Sequence, residues 1–100
     1  MKIISWNIQG LNNPHKHDFL KNMIRDNRSD IFVIQETKML KDKVECLPIF
    51  KGGRIIGNDS EGASGGMAFF WINKWIQGEL ISQNRNMMNV RFFNSKDNFS

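Results

Sequence analysis

Two short segments hold the side chains best suited to chemistry. The first, Ser5-Trp6-Asn7-Ile8-Gln9-Gly10-Leu11, puts the neutral amide of Asn7 at the end of an apolar run, and the second, Gln35-Glu36-Thr37-Lys38, puts a carboxylate directly after another. Sites in layered α/β folds gather at the C-terminal ends of strands. A carboxylate there, flanked by polar groups, is placed to hold a hard divalent cation through oxygen. Each segment also has a plainer reading: Asn7 as a turn former ahead of Gly10, and Glu36 as a solvated acid where the chain leaves a sheet. Considered jointly they gain weight. Two strands joined by a crossover helix would bring Asn7 and Glu36 to one sheet edge, where the pair could hold one magnesium ion and orient one phosphate oxygen. Hydrolysis would still need a base for the water and donors for the developing charge.

The elements that must position them are legible in the apolar pattern. Ile3, Ile4, Trp6 and Ile8 read as a short buried strand closed by Gly10. Asn13 followed by Pro14 is a helix start, because Asn accepts from a free backbone N–H and proline's fixed φ suits the first turn. Phe19, Leu20, Met23 and Ile24 then form an apolar stripe, and the helix is expected to fray near Asn27. Ile31-Phe32-Val33-Ile34 follows without alternation, the pattern of a strand buried on both faces. Strand, helix and strand make a βαβ-like unit, although the pattern leaves open whether the two strands are neighbours.

Met39 to Lys51 has no clear periodicity. Arg54-Ile55-Ile56 predicts a short strand, Gly57 to Ala63 a polar loop, and Gly65 to Ile72 an apolar strand opened by two glycines. Further strands are predicted at Glu79 to Ser82 and Met87 to Phe93. Asn94 to Asp97 reads as a turn, and Asn98-Phe99-Ser100 as the start of a returning strand. The chain is therefore expected to stop inside a hairpin, as an incomplete N-terminal part, residues 1–100, of a single domain.

Composition narrows the class further. Forty per cent hydrophobic and 24% charged residues suit a folded, soluble protein, and the net charge of +4 tolerates a polyanion without demanding one. Cys46 is the only cysteine, so no internal disulfide can form and a reduced compartment fits, intracellular, nuclear or cytoplasmic. No basic-then-apolar leader opens the chain, and its longest apolar stretch, Met67 to Ile72, is too short to span a bilayer. Phe69, Phe70 and Trp71 are expected in the core, and the methionines as core filler. Trp75 beside Lys74 is open to base stacking. His15 and His17, flanking Lys16 at the helix start, are expected to be solvated.

Trp6-Asn7-x-x-Gly10-Leu11, the helix at Pro14, Asp30-Ile31-x-x-x-Gln35-Glu36-Thr37-Lys38 and Ser64-Gly65-Gly66-Met67-Ala68 occur in an order and spacing that resembles the endonuclease/exonuclease/phosphatase (DNase I-like) superfamily. Within it the chain looks most like the apurinic-like endonuclease of LINE-type (non-LTR) retrotransposons. The Gln-Glu-Thr-Lys segment after an apolar strand is the more specific motif, and the ordered combination is stronger than any part.

The resemblance implies an α/β fold of α+β type, the N-terminal portion of a two-sheet β-sandwich flanked by helices, with this chain giving most of one sheet and the first helix. It implies a magnesium-dependent, DNA-nicking phosphodiesterase, with manganese as a substitute cation. Glu36 would be the metal ligand, and Asn7 would contact the metal site and the scissile phosphate. Gln9 stands where DNA-repair relatives often carry an aspartate. Lys38, Ser64 and Gly65 would lie near the nucleic-acid groove, although Gly65 and Gly66 are equally well explained by tight packing. The family's mid-domain Tyr or His, its Asp-x-Asn and its late Ser-Asp-His have no counterpart, so the chain is expected to be inactive alone. DNA would be the partner of the complete protein, no membrane is implied, and the C-terminal half of the domain would be missing. Half a sandwich would expose an apolar sheet face, which predicts an aggregation-prone or partly molten chain. Two alternatives stand beside this reading: a non-catalytic nucleic-acid-binding remnant, and a lipid or inositol phosphodiesterase of the same superfamily.

Overall fold

The computed structural model describes residues 1–62, 64–84 and 87–95. Strand β1 (Ile3–Asn7) leads through helix α1 (Pro14–Asp26) to strand β2 (Ile31–Gln35), and the two strands are parallel neighbours, with Ile3 opposite Ile31 and Asn7 opposite Gln35. This settles the open question of the βαβ unit. A short helix α2 (Lys41–Glu45), a 3-10 turn (Pro48–Phe50) and strands β3 (Arg54–Asn58) and β4 (Met67–Trp71) follow. They complete a four-stranded sheet of order β1-β2-β4-β3, in which β4 runs antiparallel to both its neighbours. Strands β5 (Ile76–Asn84) and β6 (Met87–Asn94) form a separate two-stranded antiparallel sheet.

The architecture is thus a mixed α/β arrangement of two sheets and few helices, consistent with a fragment of a sandwich. One expectation needs adjusting: the chain supplies strands to both sheets rather than to one. Period-two side-chain alternation explains how. On one face of the larger sheet, Phe32, Ile34, Ala68 and Phe70 pack with Leu20, Val44 and Phe50 beneath α1, α2 and the 3-10 turn. On the other, Ile31 and Trp71 are buried with Ile76, backed by Val33, Ile56, Phe69 and Phe92, so the β5–β6 hairpin covers that side. Trp71 anchors the junction: its indole N–H donates to the Ile76 carbonyl at 3.0 Å, and its ring meets Phe92 edge-on at 5.1 Å. A Cβ on Gly78 would lie 2.6 Å from the Trp71 ring, so β5 needs a glycine where the indole crosses it.

Helix α1 starts as expected. The Asn13 side-chain oxygen accepts from His15 N–H at 3.0 Å with Pro14 following, and Asn27 ends the helix by donating from its side chain to the Met23 carbonyl at 2.9 Å. Leu20 is fully buried and Met23 and Ile24 half-buried, but Phe19 turns outward onto Trp6, with ring centroids 5.3 Å apart.

Several local expectations differ from the structure. Strand β1 lies at the sheet edge and is mostly exposed, because β2 is its only neighbour among the described residues. Helix α2 went unseen because five residues are too few to show a period. Gly57 and Asn58, expected in a loop, belong to β3, and β5 is longer than the predicted Glu79 to Ser82. The methionines are mixed: Met88 is buried, whereas Met1 and Met87 are exposed. Lys96-Asp97 of the predicted turn and the predicted strand at Asn98-Phe99-Ser100 lie outside the described residues.

Candidate active site

The parallel pairing puts the C-terminal ends of β1 and β2 side by side, so Asn7 faces Gln35 across the ladder, one residue before Glu36. Backbone hydrogen bonds then lace together the three segments leaving this edge. Ile8 N–H donates to the Gln35 carbonyl at 3.0 Å, Gly10 N–H to Glu36 at 2.7 Å and Leu11 N–H to Thr37 at 2.9 Å. From the other side, Thr37 N–H donates to Gly66 at 3.1 Å and Lys38 N–H to Gly65 at 2.8 Å. The loop carrying Glu36 is held between the β1 exit and the β4 entrance.

This lacing supports an unusual backbone. Glu36 has φ +58°, Lys38 +56° and Gln9 +54°, all in the left-handed region where a side chain costs about 1–2 kcal/mol. Gly10, Gly65 and Gly66 are left-handed too, at +101°, +79° and +89°. Such conformations persist when surrounding structure over-determines them, and they gather at functional sites.

Glu36 lines a cleft of about 190 Å³ together with Gln35, Asn58, Gly65, Gly66, Met67 and Met87. Met87 begins β6, so the cleft lies where the end of the larger sheet meets the hairpin. The Asn58 side-chain oxygen is committed to Met67 N–H at 2.7 Å, and Gln35 donates its amide N–H to the Ser5 hydroxyl, leaving its carbonyl oxygen uncommitted by that bond.

The sequence candidates fall into distinct places. Glu36 and Gly65 line this cleft. Asn7 is at the same sheet end, its side-chain oxygen accepting from Gln9 N–H at 3.1 Å, but it borders a neighbouring hollow with Trp6, Gln9, His15, Lys16 and Phe19. Lys38 is half-buried, and a Cβ on Gly10 would lie 3.6 Å from its Cδ, so its stem crosses the β1 exit. Ser64 is exposed and closes a tight turn with Glu61 through paired backbone bonds of 2.8 and 3.1 Å. Trp75 is exposed, with the Lys74 ammonium 5.7 Å from its ring centroid.

Two groups do more than expected. Lys16 donates its ammonium to the Ile8 carbonyl at 2.8 Å, and the His17 ring bonds the Leu11 carbonyl, so both half-buried side chains tie α1 to the β1 exit instead of facing solvent. Thr37 is fully buried directly behind Glu36. The β-branched residue after the acid was its only signal in the sequence.

With this geometry in hand, the comparison with known proteins is decisive for the family. Residues 4–73 match the model of the Endonuclease/Exonuclease/phosphatase family. The chain belongs to that family. No curated protein matches the sequence at a significant level. Among solved structures, the AP endonuclease LMAP from Leishmania major aligns with a TM-score of 0.61 at 20% identity, over 77% of this chain and 27% of that one. The catalytic domain of APE2 from Xenopus laevis aligns at 0.52 and 30% identity, over 71% of this chain and 23% of its own. The 3′ phosphatase NExo from Neisseria, solved with a product DNA hairpin, aligns at 0.58 and 26% identity, over 81% and 32%. The chain spans about a quarter to a third of the length of these three structures. Among the described residues, no helix of this family member is long and apolar enough to cross a membrane.

Proposed function

We propose that this chain supplies the metal-holding and phosphate-orienting part of a magnesium-dependent phosphodiesterase, a DNA-nicking endonuclease of the LINE-type retrotransposon branch. The observation that carries the reading is Glu36: a carboxylate in a left-handed turn at the end of β2, lining a cleft with Gly65, while Asn7 ends the adjacent strand. Membership of the family, whose members typically depend on a divalent metal, supports it from the sequence side.

The donor set fits such a cation. Among the described residues no three His, Cys, Asp or Glu side chains come together, and the groups around the cleft offer the Glu36 carboxylate and the Gln35 amide oxygen. That suits magnesium or manganese, which accept one or two carboxylates and fill the remaining positions with water and phosphate, better than zinc, which takes nitrogen and sulfur. When bound, the cation neutralises phosphate charge and stabilises the leaving 3′ oxygen.

The chain's own residues divide the rest of the work. Glu36 anchors the charge. With its oxygen engaged by Gln9 N–H, Asn7 keeps its amide nitrogen to donate to a phosphate oxygen. Gly65 would let a nucleic-acid backbone approach closely, and Lys38 from the β1 exit and Ser64 from its turn would supply phosphate contacts. Activation of water and the grip on the phosphoryl group belong to an aspartate and a histidine of a further segment, so residues 1–100 hold part of a site. DNA as substrate draws support from the Neisseria 3′ phosphatase, which was solved with product DNA.

Nicking of supercoiled plasmid tests the proposal. Residues 1–100 leave the plasmid intact in Mg²⁺. A protein extended to its relatives' length nicks it, and Glu36→Ala lowers the rate by about two orders of magnitude or more. Nicking by the 100-residue chain that Glu36→Ala abolishes would contradict the assignment of a partial site. DNA binding indifferent to both EDTA and Glu36 would mark a non-catalytic binder, and preference of the extended protein for a phospholipid or inositol phosphate would move the substrate to another branch.

A further inference from the structure

Directly behind Glu36, Thr37 packs against Gly66. Thr37 is fully buried, and its hydroxyl oxygen has no hydrogen-bond partner among the described residues. A buried hydroxyl without a partner is unfavourable, so no hydrogen bond to a described residue accounts for threonine here. Shape does. A Cβ added to Gly66 would overlap the Thr37 hydroxyl oxygen outright, and would stand 3.2 Å from the Lys38 nitrogen and 3.4 Å from the Ser60 Cβ. Gly66 and Thr37 therefore meet with no space between them, and the β-branched side chain, stiff at χ1, acts as a fixed wedge.

The wedge sits where it governs Glu36. Thr37 N–H donates to the Gly66 carbonyl and Lys38 N–H to the Gly65 carbonyl, while the Glu36 and Thr37 carbonyls accept from Gly10 and Leu11. Glu36, at φ +58°, is thereby pinned by the β1 exit on one side and by the two left-handed glycines on the other. Relaxing either side lets its backbone leave the left-handed region, which swings the side chain away from the cleft.

We propose that Thr37 is a positioning residue that, wedged beneath Gly66, fixes the left-handed backbone of Glu36 and so aims its carboxylate into the cleft. This rests on the reading of Glu36 as the cation anchor. The specific requirements are a residue without Cβ at position 66 and a rigid, branched side chain at 37. Ligation by the threonine hydroxyl forms no part of it.

Site-resolved amide exchange and a Mn²⁺ titration on the full chain test the lock through separate readouts. In Gly66→Ala, exchange protection at Gly10, Thr37 and Lys38 falls about tenfold or more relative to amides of the β2–β4 ladder, and the Mn²⁺ dissociation constant rises about tenfold or more. Thr37→Val, which keeps the branched shape, retains both protection and affinity. Thr37→Ala, which removes the wedge without adding bulk, weakens Mn²⁺ binding while the ladder stays protected; it carries the test if Gly66→Ala does not fold. A general loss of stability would lower protection everywhere and leave no such contrast. Unchanged protection of the Glu36 loop in both Gly66→Ala and Thr37→Ala overturns the lock, as does Thr37→Val behaving like Thr37→Ala. Absence of Glu36-dependent Mn²⁺ binding in the unaltered chain contradicts the cation reading instead, and the exchange pattern still decides the lock.

Discussion

Glu36 combines an acidic side chain with a backbone conformation that acids seldom adopt, and the hydrogen bonds around it show what supports that conformation. The same principle, a polar atom secured by one well-placed partner, operates in the core at Trp71. Its indole N–H and the Ile76 carbonyl form a buried bond between the larger sheet and the hairpin. Trp71→Phe removes the donor and leaves the carbonyl unpaired, so it should cost about 1–3 kcal/mol, measured as a lowered denaturant midpoint. A midpoint unchanged within error would mean that the hairpin is not anchored there. Neighbouring Phe69 and Phe70 support the packing role expected of this aromatic run, since both meet other rings within the fold.

Among the elements, α1 does two jobs: it covers one sheet face through Leu20 and it ties down the β1 exit through Lys16 and His17. Its start depends on the Asn13 cap, and Asn13→Ala should destabilise the chain by about 1 kcal/mol, seen as a shift in urea midpoint at constant slope. No shift would show that Pro14 alone sets the helix start. The cap, the Pro14 helix and the apolar run of β2 were legible because each follows from local chemistry. The position of β1 was not: an apolar strand reads as buried whether its neighbours lie in the same chain or elsewhere. Nor was the role of Lys16 and His17, since two polar residues on a helix look solvated until the path of the preceding turn is known. At the site, Gln35-Glu36-Thr37-Lys38 was legible as a carboxylate at a strand end. The tight packing weighed for the two glycines holds at Gly66 and not at Gly65, and the partner of Gly66 was not legible because Thr37 lies in a segment nearly thirty residues away.

For the molecule as a whole, the apolar face expected to be bare is partly covered by the β5–β6 hairpin. Exposed apolar surface remains instead at the β1 edge and α1, where Ile3 is 56%, Trp6 37% and Phe19 48% exposed, and along the hairpin at Leu80, Ile81 and Met87. An exposed edge strand without proline or internal charge invites pairing with another chain. The 100-residue chain should therefore associate as its concentration rises, and Ile3→Lys should reduce that association in sedimentation measurements. A stable monomer with a sharp, reversible thermal transition would count against this. At every scale the proposed function requires a cation anchored by Glu36 with the Asn7 amide alongside. Anomalous diffraction from a crystal of the chain soaked in manganese tests that most directly. A peak is expected about 2 Å from the Glu36 carboxylate, on the side facing Asn7. A bare carboxylate, or one turned away from Asn7, would contradict it.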